Sequence, residues 1–276
     1  MPAPPPDATS QLATVTSVVP CGSDGVLLTV ETGEAFPRLD AARFFMLRCE
    51  DGTSPLIPRP FSLFRQRGAR LEFLIKVMGA GTRALAGAAI GSEVRLIGPL
   101  GHGFPEPDDE QPLVMLAGGI GSAPFFMEIE DRLAAGVPAD RMTLVYGAAT
   151  EGLLYDLEAF ERLGVRVLAC TDDGSRGFHG NVVGCLEAEW EAGRVPRAVR
   201  LFACGPEPML EAVERLGRSH DLSTWLSLES YMGCGVGICN GCVVPTRAEG
   251  PMGAWPNAKC CVEGPVFSTE AITLAH

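Results

Sequence analysis

Two patterns of hydrophobic and polar residues divide the chain. Up to about residue 104, short apolar runs alternate with turns rich in proline and glycine, a spacing typical of a small antiparallel barrel. Further on, apolar strands alternate with helical patterns, which indicates a doubly wound parallel sheet. From residue 223 onward the periodicity fades, and glycines and cysteines dominate. We therefore expect a β plus α/β fold with a barrel at 11–104, an α/β domain at 112–222 and a cysteine-rich segment at 223–276.

The individual elements follow from these patterns. Predicted strands are 12–19, 25–29, 43–49, 62–64, 71–77 and 93–97 in the first domain, and 113–117, 142–146, 165–170 and 199–204 in the second. Predicted helices of the second domain lie around 126–133, 157–163, 186–191 and 208–216.

The two segments outside this pattern are predicted to be irregular. Residues 1–10 (MPAPPPDATS) are rich in proline and have neither the basic nor the apolar part of a secretory signal, so we expect a disordered tail. The acidic, proline-rich segment 105–111 is the best candidate for a linker. No run of about twenty apolar residues exists, so no transmembrane helix is expected. These features favour a cytoplasmic protein.

The composition excludes one class of partner. The net charge is −12 and no concentration of lysine and arginine stands out, whereas binding to a nucleic-acid backbone needs a cationic surface. The hydrophobic fraction of 46% is enough for ordinary globular cores. Ten cysteines in a reducing compartment need an explanation other than disulfides.

Three cysteines in one glycine-rich loop supply that explanation. Cys234, Cys239 and Cys242 have the spacing C-x4-C-x2-C, and Cys261 follows later, an arrangement typical of a plant-type [2Fe–2S] cluster. The glycines allow the backbone to approach the cluster closely. A zinc site is an alternative, although zinc sites usually have two C-x2-C-like pairs, and buried structural thiols are another. Cys260 adjoins Cys261, and spacing alone barely separates the two as fourth ligand. Most of the other five, Cys21, Cys49, Cys170, Cys185 and Cys204, are expected to be buried.

Two glycine- or proline-marked segments of the first domain are candidates for binding phosphate groups. Arg59-Pro60-Phe61-Ser62 can present an arginine as a bidentate donor to a diphosphate, although a turn stabilised by proline is the simpler interpretation. The segment from Lys76 to Thr82 (KVMGAGT) ends a strand in glycines and enters a helix. Exposed amides at such a point can bind an anion, and Thr82 adds a hydroxyl.

The second domain carries two further loops at the ends of strands. AGGIGSAP (117–124) stands between the first strand and helix, where a dinucleotide pyrophosphate meets a helix N-terminus, although it is not a strict GxGxxG. A CGP sequence follows the last strand. Both loops should lie on one rim of the sheet, since ligands bind outside the carboxyl ends of parallel strands. The candidate residues are Gly118, Gly119, Gly121, Cys204, Gly205 and Pro206.

Taken together, RPFS, GAGT, GPLGHGF, LAGGIGSAP, CGPEPM, GCGVGICNGC and CVEGPVF resemble the electron-transfer subunits of class 1B dihydroorotate dehydrogenases, in the ferredoxin–NADP reductase superfamily. The resemblance spans roughly residues 11–267. It implies an FAD-binding barrel, an NAD(H)-binding α/β domain and cluster ligands at Cys234, Cys239, Cys242 and Cys261, the last because the family's cysteine stands two residues before GPVF. The implied FAD residues are Arg59, Pro60, Phe61, Ser62, Leu74, Ile75, Lys76, Gly81 and Thr82.

The resemblance also implies a partner and a direction of electron flow. A separate FMN-containing catalytic subunit would oxidise dihydroorotate, and electrons would pass through the [2Fe–2S] cluster and FAD to NAD⁺, in a heterotetramer with two copies of each subunit. No arginine pair stands where a 2′-phosphate would bind, which favours NADH over NADPH. Small subunits of bifurcating NAD(P)H:ferredoxin oxidoreductases or sulfhydrogenases are one alternative. A non-catalytic ferredoxin-like carrier or zinc-stabilised module is another, in which the glycine loops are merely turns.

Overall fold

The computed structural model describes residues 8–52, 55–106 and 111–274, which contain two seven-stranded sheets. The predicted tail lies outside the described residues up to position 7, and so does 107–110 of the predicted linker. The first strand begins within the predicted tail, because Thr9 and Ser10 pair with Gly98 and Ile97.

The first sheet is antiparallel throughout. Its strands are β1 (Thr9–Cys21), β2 (Gly25–Thr32), β3 (Phe44–Cys49), β4 (Arg59–Ser62), β5 (Arg65–Arg67), β6 (Arg70–Lys76) and β7 (Glu93–Leu100), with a short helix α1 (Ala80–Ala86) between β6 and β7. The strand order is β4-β3-β7-β1-β2-β6-β5.

The two edges of this sheet are brought together by the chain itself. Only Leu63 and Phe64 separate β4 from β5, the strands at opposite edges. The amide of Leu63 donates to the carbonyl of Arg43 and that of Phe64 to the carbonyl of Glu72, both at 2.9 Å. The sheet therefore curls into a barrel filled by apolar side chains, which confirms the predicted fold of the first domain. Its interior includes Val15, Leu28, Val30, Phe45, Leu47, Phe73, Ile75 and Leu96.

The second sheet is the predicted parallel sheet. Its strands are β8 (Leu113–Gly118), β9 (Met142–Ala148), β10 (Arg166–Thr171), β11 (Phe178–His179), β12 (Arg200–Cys204), β13 (Thr224–Ser227) and β16 (Val266–Ser268). Its helices are α2 (Ala123–Ala134), α3 (Leu157–Glu161), α4 (Val182–Glu191) and α5 (Glu207–Ser219). The order is β11-β10-β9-β8-β12-β13-β16, parallel except for β13 with β16. The order therefore reverses between β8 and β12, the place where such sheets bind ligands.

The cysteine-rich segment is tied to the second sheet at both ends. Strand β13 pairs with β12, and β16 returns beside β13, so the predicted boundary at residue 222 does not coincide with the edge of the sheet. Between them lies a two-stranded ribbon of β14 (Val243–Pro245) and β15 (Asn257–Lys259).

Aromatic and ionic contacts join the two sheets. The ring of Phe64 lies 5.0 Å from that of Phe126, and the guanidinium of Arg65 lies 4.2 Å from both ring centres. Arg65 also pairs with Asp156 at 2.5 Å. These contacts fix the rim of the second sheet against the barrel. Within the described ranges, no helix is both long and apolar enough to cross a membrane.

Candidate functional site

A cleft of about 640 Å³ lies where the barrel, the rim of the second sheet and the start of the cysteine segment meet. Its size and its mixture of apolar walls with a few charged groups are those of a cofactor site. Several predicted residues line it: Arg59, Pro60, Phe61, Ser62, Leu74, Lys76 and Thr82 from the barrel, and Gly205 and Pro206 from the rim. Six other predicted residues are not among those that line the cleft: Ile75, Gly81, Gly118, Gly119, Gly121 and Cys204.

The RPFS segment forms an edge strand at the cleft. In β4, Ser62 pairs with Phe44 and Pro60 with Met46, and an edge position suits a residue without an N–H group. The Arg59 guanidinium donates to the carbonyl of Ile57 at 2.7 Å.

The glycine turn after β6 packs directly on this arginine. A Cβ atom at Gly81 would lie 3.4 Å from Cγ of Arg59, an ordinary van der Waals contact, so the start of α1 lies against the arginine side chain. The Thr82 hydroxyl accepts hydrogen bonds from the amides of Met78 and Gly79, at 2.8 and 2.9 Å, and donates to the carbonyl of Gly79. These three bonds use the full capacity of a hydroxyl, so in this arrangement Thr82 caps the helix.

Strand β6 presents alternate side chains to the cleft. Leu74 and Lys76 line it, whereas Ile75 is fully buried in the barrel core, as the period of two along a strand requires. The carbonyl of Ile75 faces Gly25 in β2, so Ile75 supports the cleft wall from behind.

The two predicted loops of the second sheet meet backbone to backbone at the strand-order reversal. A Cβ atom at Gly205 would lie 3.0 Å from Cα of Gly118, and one at Gly121 would collide with the carbonyl of Cys204. Gly119 has φ +54°, a left-handed conformation that favours glycine. The glycines therefore bring both loops onto one rim, as expected from the sequence. Burial raises the pKa of the Cys204 thiol, which keeps it neutral.

The four predicted ligand cysteines form two pairs. The Cys239 amide donates to Sγ of Cys234 at 3.4 Å, and the sulfur atoms of Cys242 and Cys261 lie 3.2 Å apart. Desolvation disfavours the Cys234 thiolate, but hydrogen bonds from amides of the loop outweigh it and lower the pKa of that thiol to about 6. The loop thus favours the thiolate of Cys234, which is the form that binds iron.

This pairing fits a two-iron cluster better than a single metal. Each tetrahedral iron of a [2Fe–2S] cluster takes two protein thiolates beside the bridging sulfides, so two pairs are needed. Among the residues that the structure describes, no three His, Cys, Asp or Glu side chains converge as a mononuclear site would require.

Cys260 points elsewhere. Its buried thiol contacts the carbonyl of Leu228 at 3.7 Å, and burial raises its pKa. Burial also raises the pKa of Cys261, to about 12, while an amide hydrogen bond from Gly237 opposes the increase. The geometry favours Cys261 as the partner of Cys242.

Sequence reasoning missed the wall of the cleft that the cysteine segment supplies. Leu228, Glu229, Tyr231 and Met232 line the cleft immediately before the first ligand cysteine. Glu229 is accessible to solvent but enclosed by the cleft; this desolvation raises its pKa, and Lys76 opposes the increase. Recognising TWLS as a strand would have placed this wall at the carboxyl end of a parallel sheet.

Comparisons with known proteins agree with this architecture. Residues 229–273 match the model of the iron–sulfur cluster binding domain of dihydroorotate dehydrogenase B. The chain is 34% identical over 242 residues to the dihydroorotate dehydrogenase B (NAD(+)) electron transfer subunit of Bacillus mycoides, covering 85% of this chain and 87% of that one. The same subunit of Bacillus cereus gives the same values.

Two solved structures share the fold. An NADH-dependent reduced ferredoxin–NADP oxidoreductase superposes with a TM-score of 0.81 and 22% identity, over 95% of this chain and 90% of its own. A ferredoxin NADP⁺ reductase from Neisseria gonorrhoeae with bound FAD and NADP gives a TM-score of 0.64 and 19% identity, over 78% and 92%. The predicted ferredoxin–NADP reductase fold is confirmed, and the sequence identity to the Bacillus proteins shows that this chain belongs to the dihydroorotate dehydrogenase B electron transfer subunit family.

Proposed function

We propose that the chain is the electron-transfer subunit of an NAD⁺-dependent dihydroorotate dehydrogenase in pyrimidine biosynthesis. It takes electrons from the FMN of a catalytic partner and delivers them to NAD⁺. The observation that carries the proposal is the continuity of the two sites: the cleft wall reaches Met232, and the first ligand cysteine is Cys234. A flavin in the cleft would therefore lie beside the cysteine pairs.

Each region of the chain is assigned the cofactor that its side chains and backbone groups can bind. We assign the [2Fe–2S] cluster to Cys234, Cys239, Cys242 and Cys261 in segment 223–276. When bound, such a cluster carries single electrons, and FAD couples single electrons to hydride transfer. FAD belongs to the barrel at 11–104, where Arg59 supplies a fixed cation for the diphosphate and β4 with β6 forms the wall. The amides of Leu74 and Gly81 complete this set, together with Pro60, Phe61, Ser62 and Lys76. Ile75 and Thr82 support it from behind, by packing in the barrel core and by capping α1.

NAD(H) belongs to the rim of the second domain, 112–222 extended by β13. The turn at Gly118, Gly119 and Gly121 precedes α2, and its amides suit a pyrophosphate. Gly205 and Pro206 form the cleft side of the same rim, and Cys204 lies buried behind them. The rim holds the dinucleotide close to the flavin cleft, as hydride transfer requires.

Electrons would enter at the exposed edge of the cysteine loop. Cys239 is exposed, and Val236 and Ile238 beside it are 41% and 80% exposed, so an apolar surface surrounds the outermost ligand cysteine. We assign this apolar surface to the FMN-containing partner, in a cytoplasmic complex of two copies of each subunit. Ten free thiols suit that compartment.

Co-expression with an FMN-dependent dihydroorotate dehydrogenase subunit from the same organism tests the function. The two chains should purify together and reduce NAD⁺ when dihydroorotate is added, and this chain alone should oxidise NADH but not dihydroorotate. Electron transfer to ferredoxin, with no dihydroorotate activity, would instead identify a ferredoxin oxidoreductase subunit.

The absorbance spectrum of the purified chain tests the cofactors. Flavin bands and a broad cluster band bleached by dithionite are expected. A colourless protein that takes up no added FAD would overturn the assignment and favour a zinc-stabilised or structural module.

The docking surface is tested by Ile238→Asp. A carboxylate at position 238 would lose its hydration in the interface. The affinity between the two subunits should therefore fall at least about tenfold. Ile90→Asp, at another exposed isoleucine outside the cysteine segment, is the matched control and should leave the complex intact.

A further inference from the structure

Lysine is rare in this chain, and both copies lie at the proposed cofactor sites. Among 22 basic residues only Lys76 and Lys259 are lysines. Lys76 lines the cleft, and the Lys259 ammonium donates to the carbonyl of Gly237 in the cysteine loop at 2.7 Å. An ammonium is a compact, mobile point charge without the planar fork of arginine. The position of the Lys76 charge therefore depends on what holds it.

One carboxylate holds Lys76, and that carboxylate is itself held from the other sheet. Nζ of Lys76 lies 3.5 Å from Oδ2 of Asp24, in the turn between β1 and β2. The other oxygen, Oδ1, accepts a hydrogen bond of 2.5 Å from the hydroxyl of Tyr155, which precedes α3 in the second domain. The barrel thus contributes the lysine and the carboxylate, and the second domain contributes the hydroxyl that orients the carboxylate.

The β1–β2 turn is shaped to receive the tyrosine. Cβ atoms at Gly22 and Gly25 would lie 2.9 and 2.8 Å from the Tyr155 ring, closer than real Cβ contacts allow. Gly22 also has φ +68°, and the amide of Ser23 donates to the carbonyl of Gly152 at 2.7 Å. Two glycines and a backbone hydrogen bond therefore seat the ring against Asp24.

Lys76 also interacts electrostatically with a second carboxylate, that of Glu229. Glu229 is accessible to solvent, but desolvation by the cleft raises its pKa, and the charge of Lys76 opposes that increase. Asp24 lies on the barrel side of the lysine and Glu229 on the wall formed by the cysteine segment. Loss of Asp24 would leave the ammonium free to move into the cleft.

We propose that Asp24 is a positioning residue, oriented by Tyr155, which holds the Lys76 ammonium at the barrel wall of the cleft and so sets the charge felt by FAD. The inference rests on the proposed function, because it requires the flavin to bind in this cleft. Reduction adds negative charge to a flavin, so a nearby cation favours the reduced form and a carboxylate that restrains this cation counteracts it.

The reactivity of the Lys76 amine towards an acetylating reagent measures how firmly Asp24 holds it. With only two lysines in the chain, acetylation of the full-length protein followed by peptide mass spectrometry gives the labelling of Lys76 relative to Lys259 in the same molecule. Asp24→Asn should raise this ratio about two- to fivefold, the range expected for loss of one partly exposed ion pair. Tyr155→Phe should raise it less. Asp131→Asn, which removes another carboxylate that bridges the two sheets through Arg38 but lies away from Lys76, should not change it.

The midpoint potential of bound FAD tests the consequence. Asp24→Asn should make the potential more positive, Lys76→Met more negative, and Asp131→Asn should leave it unchanged. In a Lys76→Met background, Asp24→Asn should lose most of its effect, because it acts through the lysine.

Two results would overturn the positioning role. One is an Asp24→Asn protein whose labelling ratio and potential equal those of Asp131→Asn. The other is a potential shift of equal size with and without Lys76, which would show that Asp24 acts by its own charge. A wild-type chain that binds no FAD would instead overturn the proposed function, and this inference with it.

Discussion

The sulfur atoms of Cys242 and Cys261 lie 3.2 Å apart although they are nineteen positions apart along the chain. The ribbon of β14 and β15 produces this contact: Val243 pairs with Lys259, and the amide of Cys260 donates to the carbonyl of Cys242 at 2.8 Å. The register that places Cys261 beside Cys242 turns the adjacent thiol of Cys260 towards Leu228.

The first prediction uses this difference between neighbours. Cys261→Ser should lose the cluster, and Cys260→Ser, the matched control, should retain it, because only Cys261 completes the second pair of thiols. Iron content and the visible absorbance of each purified variant measure the outcome. Retention of the cluster in Cys261→Ser with loss in Cys260→Ser would reverse the assignment of the fourth ligand.

The second prediction concerns the chain after iron removal. Amide hydrogen bonds lower the pKa of the Cys234 thiol to about 6 against the effect of partial burial, so its thiolate predominates above that pH. Alkylation of Cys234 by iodoacetamide should rise with pH around a midpoint of about 6 and be nearly complete at pH 7. Cys260 in the same sample should stay unmodified, because burial raises its pKa. Equal labelling of the two cysteines at pH 7 would contradict this prediction.

The third prediction tests the RPFS segment. Arg59→Ala should weaken FAD binding by roughly 10- to 100-fold, the effect of losing a charged hydrogen bond worth about 1.5–3 kcal/mol. Arg48→Ala is the control, since Arg48 lies on the neighbouring strand, pairs with Glu50 and is not among the residues that line the cleft. Fluorescence titration of the flavin-free proteins with FAD measures both affinities. Similar losses in the two variants would mean that Arg59 acts only through the stability of the barrel.

The fourth prediction is a pH dependence of stability. Burial raises the pKa of Glu128 to about 7, although Arg132 lies 2.5 Å away and opposes the shift. The folded state therefore holds this proton more tightly than the unfolded state, whose value is 4.5. The contribution of Glu128 to stability is fully present below about pH 4.5 and is lost as the pH rises through about 7.

Urea denaturation at several pH values measures this contribution. The free energy of unfolding of the wild type, relative to Glu128→Gln, should decline between about pH 5 and pH 8. A difference that stays constant over this interval would show that the carboxylate remains ionised beside Arg132 throughout.

The sequence predicts those parts of the fold whose signal is local. Strand β8 was visible because it is a continuous apolar run, and the helix after it because Phe126 and Ile129 recur at helical spacing. Strand β13 could not be recognised in the sequence, because it has only four residues and its antiparallel partner β16 lies about forty positions further on. Pairing over such a distance leaves no local periodicity.

The same distinction separates the two sites. The cluster cysteines could be predicted because three of them share one loop with a characteristic spacing. The Glu229 wall of the cleft and the contact of Asp24 with Tyr155 could not, since each joins segments that are distant in sequence. For Thr82 the sequence indicated only a hydroxyl at an anion site. A hydroxyl beside a glycine turn can also cap a helix, and this role is visible only in its hydrogen bonds.

Because β13 pairs with β16, the cysteine-rich segment is an insertion between two adjacent strands of the second sheet. Ser227 at the end of β13 pairs with Val266 at the start of β16. Residues 228–265 therefore begin and end at the same edge of the sheet. The entropy cost of closing a loop grows only slowly with its length, and the sheet tolerates long or short excursions between such fixed ends. A flavin reductase could therefore gain or lose its one-electron centre at this point by insertion or deletion between two adjacent strands, provided that the apolar side chains now covered by the insert, Met46 and Leu100 among them, are changed as well.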